Sequence, residues 1–136
     1  MVGESDLGKL LHRMEPALDK GRYYFASVDE SQLMALSGYL NSIMDVFNEE
    51  EGLSIVFYED VKSEISGISG KEIFGPFAFI TLKTHFDLFT VGLLAKITEA
   101  LAKEGISVNV FSAYRHIHIF VPFERKDEAM EILNNV

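Results

Sequence analysis

Apolar positions recur along the chain with two different periods, and the switches between them mark out its elements. Leu7, Leu10, Leu11, Met14 and Leu18 fall at helical spacing, which predicts a short N-terminal helix ended near Pro16. Residues 23–28, rich in aromatics, read as a strand. Asp29 stands three residues before Gln32, a capping signal, and Leu33, Leu36 and Leu40 then repeat at helical spacing. Two apolar runs, 43–48 and 53–58, flank Glu49-Glu50-Glu51-Gly52 and predict a hairpin, with a brief helix expected over 60–65.

The second half is sharper. Residues 77–84 form a strand pattern. Leu93, Leu94, Ile97 and Leu101 make an apolar stripe on a helix that Gly105 ends. Residues 106–114 and 116–123 read as a tight hairpin, and 126–134 as a closing helix with Ala129, Met130, Ile132 and Leu133 inward. Both halves thus give strand, helix, strand, strand, helix. The expected fold class is α+β: two tandem ferredoxin-like modules with antiparallel sheets. Gly67, Gly70 and Gly75, with Ser66, Ser69 and Pro76, form the most turn-like stretch, so the module boundary is placed there, giving 1–70 and 71–136. Each module lacks its own closing strand. Residues 77–84 could close the first and open the second, and the last module then needs a strand from elsewhere or a second subunit at its edge.

Charge narrows the choice of partner. The 136 residues carry 21 acidic and 12 basic side chains, a formal charge of −9, with 13 acidic against 5 basic in residues 1–68. That balance disfavours a phosphate-tracking surface, so no nucleic-acid partner is expected, although Phe77 and Phe79 share one strand face. No apolar run approaches the ~18 residues of a membrane span, and the N-terminus has no signal-like core. Cysteine is absent, which removes disulfides, thiolate nucleophiles and Cys-based zinc sites. The chain reads as a soluble cytoplasmic protein without a membrane partner.

No catalytic grouping emerges: the sequence holds no phosphate-loop glycines, no His-Glu-x-x-His and no nucleophile elbow, so a non-enzyme is expected. His116 and His118 lie two apart on a strand and share a face, with Ile117, Ile119 and Val121 on the other. His85 ends another strand and could join them. Three imidazoles beside Asp87 have the chemistry of metal ligands, but their spacing fixes no site, and no metal or cofactor is assigned. Gly92 sits where a helix begins, where unpaired first-turn amides favour a carboxylate.

The run Val91-Gly92-Leu93-Leu94-Ala95-Lys96-Ile97, followed by Leu101-Ala102-Lys103-Glu104-Gly105-Ile106-Ser107-Val108, resembles the ACT domain, a ferredoxin-like regulatory module. The family's apolar strand, turn Asp, Gly-Leu-Leu helix start and Gly-Ile before the second strand correspond to residues 79–82, Asp87, Gly92-Leu93-Leu94 and Gly105-Ile106. Leu88-Phe89-Thr90-Val91 lengthen the turn beyond the family's usual form. Most of the chain is also similar to a small bacterial family with tandem ACT-like halves, at residues 7–24 and 81–92 and at Asn109, Tyr114, His116, His118 and Phe120-Val121-Pro122. The resemblance implies small-molecule sensing, with an amino acid or other small carboxylate held by His85, Asp87, Gly92, Asn109, Ser112 and Tyr114, in a homodimer. The alternative it leaves open is a structural or protein-interaction module without a ligand.

Overall fold

The computed structural model describes residues 6–136, apart from the side chains of Leu10 and His12. In chain order the elements are α1 (Leu7–His12), β1 (Pro16–Leu18), β2 (Tyr23–Val28), a 3-10 helix (Glu30–Ser42), β3 (Ile43–Glu49), β4 (Gly52–Tyr58), α2 (Lys62–Ser69), β5 (Phe74–Leu82), α3 (Leu93–Lys103), β6 (Asn109–Ser112), β7 (Ile117–Pro122) and α4 (Lys126–Asn134). They divide into two compact units. One is Gly21–Phe77; the other joins the described residues up to Lys20 to Ala78–Val136.

In the inserted unit, Gly21–Phe77, the strand order is β3-β4-β2 followed by the first residues of β5. β3 and β4 form the expected hairpin, from Ile43↔Phe57 to Glu49↔Gly52, and β2 pairs with β4 from Tyr23↔Tyr58 to Val28↔Leu53. Phe77 and Phe74 then pair with Tyr23 and Phe25, so the start of β5 closes this unit. Tyr24, Ala26, Val28, Leu53, Ile55 and Phe57 alternate onto one face and meet Leu36, Val61 and Ile65 from the helices. The segment after Asp29 is capped as its sequence suggests, Asp29 Oδ1 accepting from the Ser31 amide at 2.9 Å, but it winds as a 3-10 helix. With about three residues per turn, Leu36 and Tyr39 face the core while Leu40 turns out, and Leu33 and Leu40 are 52 % and 59 % exposed. The helical stripe expected from Leu33, Leu36 and Leu40 is therefore reduced to Leu36.

In the other unit the order is β1-β5-β7-β6. The strand that the last module needed comes from the N-terminal segment: Pro16, Ala17 and Leu18 pair antiparallel with Leu82, Thr81 and Ile80. Leu18, expected on the helix, belongs to this strand. Taken from β5 round to β1, the unit has the same order as its companion: closing strand, first, third, second. Both are ferredoxin-like α+β units. Ile97 and Leu101 from α3, Ala129 and Leu133 from α4, and Ile117, Ile119 and Val121 from β7 are all buried in one cluster with Ala78, Ile80 and Leu82.

Candidate functional site

The sequence-predicted residues gather where β5 hands over to α3 and β6 to β7. Past Leu82 the chain is tied to the N-terminal segment, the Lys83 amide donating to the Glu15 carbonyl at 3.1 Å and the Thr84 hydroxyl to the Arg13 carbonyl. Buried Phe86 anchors the loop in the core. Asp87 then makes a double turn: its Oδ1 accepts from the Phe89 amide at 2.9 Å and its carbonyl from the Thr90 amide at 3.0 Å. Gly92, at φ 89°, is the N-cap residue of α3 and has no side chain with which to cap it. An added Cβ at Gly92 would meet only Leu7 Cδ2, at 3.5 Å. The need for glycine is thus the left-handed backbone, which a β-carbon disfavours.

Facing this loop, Ser112 ends β6 and Ala113 follows it, the Ala113 amide donating to the His116 carbonyl at 3.0 Å across a tight turn. A cleft of ≈ 60 Å³ lies between the two segments, lined by Asp87, Leu88, Thr90, Leu94, Ser112 and His116 among others. Of the expected ligand residues, Asp87 and Ser112 line it. Gly92 lies at the helix start beside lining residue Leu93. Tyr114 is 71 % exposed, with the Arg115 guanidinium 5.4 Å from its ring centre. Asn109 begins β6 opposite Phe120, at the other end of the strand from Ser112, and is not among the cleft-lining residues.

The three histidines do come together. The rings of His85 and His116 are 4.9 Å apart and those of His116 and His118 6.2 Å. His118 Nδ1 shares a hydrogen bond with Thr81 Oγ1 at 2.9 Å. His116 Nδ1 is buried without a hydrogen-bond partner in the described structure, a costly state for a polar atom. No three His, Asp or Glu side chains among the described residues are grouped to hold a metal ion. Phe86, Thr90 and Ala113 also line the cleft. Only their place beside the Asp87 turn and the end of β6 could have signalled them.

Burial holds His118 below the ordinary histidine value of 6.5, and the charges of His116 and Lys83 push the same way. A depressed base binds fewer protons folded than unfolded, so its contribution to stability is complete above 6.5 and lost as pH falls through the lower folded value. The wild-type protein should therefore melt at a lower temperature in mildly acidic than in neutral buffer, with a smaller drop in His118→Gln. Calorimetry at the two pH values checks this, and equal drops in both proteins would refute it.

The sequence model of the ACT domain matches residues 2–68, and a second ACT-domain model matches residues 76–135. The described residues up to Lys20 thus match with the first half but belong to the same compact unit as Ala78–Val136. A Vibrio cholerae protein of unknown function, described as a possible transport protein, is 37 % identical over 92 % of this chain and 91 % of its own, with a TM-score of 0.73. An Agrobacterium tumefaciens protein, 18 % identical over 90 % of this chain and 88 % of its own, has a TM-score of 0.72. The ligand-free regulatory subunit of aspartate kinase from Thermus thermophilus, 15 % identical over 91 % and 97 % of the two chains, has a TM-score of 0.68. These last two share the fold. No curated protein sequence matches the chain. No helix among the described residues is long and apolar enough to cross a membrane. With ACT-domain models matching both halves and the same fold recurring over at least 88 % of each of these relatives, the chain belongs to the ACT-domain family and carries two ACT-like domains.

Proposed function

We propose that the protein is a non-catalytic regulatory sensor of an amino acid or other small carboxylate, working as a cytoplasmic homodimer whose linear halves are residues 1–70 and 71–136. The observation that carries this reading is the cleft itself. Asp87, Ser112 and His116 line it beside the start of α3, whose N-cap residue Gly92 has no side chain to cap the helix. A zwitterion has the matching pair of charges: its carboxylate suits the α3 amides, and its ammonium group suits Asp87. Ser112 lines the same cleft and the His85 ring packs on that of His116, whereas Asn109 and Tyr114 lie outside its lining and are left out of this reading. At ≈ 60 Å³ the cleft is well below the ~300 Å³ of common ligand pockets, so it takes the polar head and leaves the rest outside. Ligand binding then regulates only through a difference in affinity between two arrangements.

Isothermal titration with the twenty amino acids tests the site. Asp87→Asn keeps an oxygen for the Phe89 amide while removing the charge, and should weaken a genuine ligand at least ~10-fold, on the order of 1.4 kcal/mol. An affinity unchanged by both Asp87→Asn and His116→Gln, with folding intact, would discard the site. A second reading, an interaction module without a ligand, is favoured by Phe89 and Val91, which are 89 % and 85 % exposed beside the cleft. It prevails if no amino acid binds at millimolar concentration.

A further inference from the structure

The lining of the cleft changes in character from inside to outside. Phe86, Leu93 and Ile117 line it and are buried, an apolar floor. Asp87, Thr90 and His116 are half-buried and supply most of its polar groups. Four lining residues are open to solvent. Leu88, Leu94 and Ala113 are apolar, and Ser112 offers a single hydroxyl. Leu88 and Leu94 are 59 % and 39 % exposed, so each reaches from the cleft into water. One follows the Asp87 turn and the other stands in the first turn of α3, so two separate segments give the mouth an apolar character.

That mouth limits what can leave the cleft. Asp87 is a carboxylate, and no Lys or Arg is among the described lining residues. Exposed Lys96 and Arg115 lie outside the lining, and the Arg115 guanidinium is placed over the Tyr114 ring. Once Asp87 holds an ammonium group, no further fixed charge in the lining is left for a ligand side chain. A charged or amide side chain crossing Leu88 and Leu94 would shed water without an equal return in hydrogen bonds, which is unfavourable. An apolar one would take itself and both leucines out of water, which is favourable. A single methyl group covers little of either.

We propose that the ligand is an amino acid with an apolar side chain of about the size of leucine or methionine, and that Leu88 and Leu94 select it. The proposal rests on the amino-acid reading above and adds to it the ligand class and the selecting residues.

Titration calorimetry on the full chain tests it with leucine, methionine, asparagine, alanine, lysine and glutamate. Asparagine nearly matches leucine in shape, so that pair separates polarity from size. Leucine and methionine should bind at least ~10-fold more tightly than asparagine or alanine, and lysine and glutamate no better than alanine. Leu88→Ser and Leu94→Ala should each weaken leucine by roughly threefold or more and leave alanine unchanged, with thermal unfolding showing both variants folded. Equal affinity for leucine, asparagine and alanine overturns the proposal, as does a leucine preference that survives both substitutions, or tightest binding by lysine or glutamate. Each of these results leaves the amino-acid reading standing. If none of the twenty amino acids binds, that reading falls and takes this proposal with it.

Discussion

Replacing Phe57 by alanine should cost about 3–5 kcal/mol of stability, the range for a large aromatic lost from a packed core. Phe57 is fully buried in β4. It faces Tyr24 across the β2–β4 pair, their ring centres 5.9 Å apart and nearly parallel. It also lies in the cluster with Ile55, Val61 and Ile65, so truncation removes apolar contacts on several sides and opens a cavity that a sheet residue fixed by register cannot slide to fill. For a chain of this size the melting temperature should fall by roughly 10–20 °C. Thermal unfolding followed by circular dichroism measures it. Phe57→Leu, which keeps most of the volume, should lose less than about 1.5 kcal/mol. A loss below about 1 kcal/mol for the alanine variant would mean that this core is not packed as described.

The second large effect is expected at Gly75. Its φ is +147°, in a region that L side chains rarely adopt, and a Cβ there would stand 2.6 Å from Tyr24 Cδ1 and 2.8 Å from the Tyr23 carbonyl oxygen. One obstacle is a ring held in the core and the other is backbone of the paired strand, so neither yields cheaply. Gly75→Ala should destabilise by about 3 kcal/mol, combining backbone strain with overpacking. Gly67, inside α2, has nothing within 4 Å of its virtual Cβ. Gly67→Ala should change stability in the opposite direction, by about 0.5–1 kcal/mol in favour of the fold. Urea titration of the two variants side by side separates the predictions, and an equal response to both would contradict them.

The patterns that could be read from sequence are those whose cause is local. α4 spans Lys126–Asn134 and the β3–β4 hairpin turns at Glu50–Glu51, as its acidic run and Gly52 suggest. β1 is the opposite case. Pro16, Ala17 and Leu18 have no alternation of their own and lie in a run that also fits a helix. Their strand exists because β5, more than 60 residues later, supplies the partner. The 3-10 winding of Glu30–Ser42 was equally hidden, since Leu33, Leu36 and Leu40 suit an α-helix and only packing against β3 and β4 shows which of them turns inward. In the candidate site, the Asp87 turn and Gly92 helix start follow from residue type. The contact of His85 with His116 depends on the pairing of β5 with β7, and the orphaned His116 nitrogen depends on the burial that results.

The way the second unit borrows β1 from the far side of the first has a consequence for how the chain is born. A ribosome delivers residues in order, so everything that Gly21–Phe77 needs is available once Phe77 has emerged, including the start of β5 that pairs with Tyr23. The other unit cannot assemble then. Its β1 must wait, unpaired, while the inserted unit is made, and its cluster lacks Ala129 and Leu133 until α4 has been synthesised. Domains that fold as they emerge favour the early continuous segment. The late closure of β1 onto β5 joins residues distant in sequence, which is the slow kind of contact to form. An apolar N-terminal segment held open through most of synthesis is the window in which a nascent chain of this design is exposed to aggregation or chaperone capture.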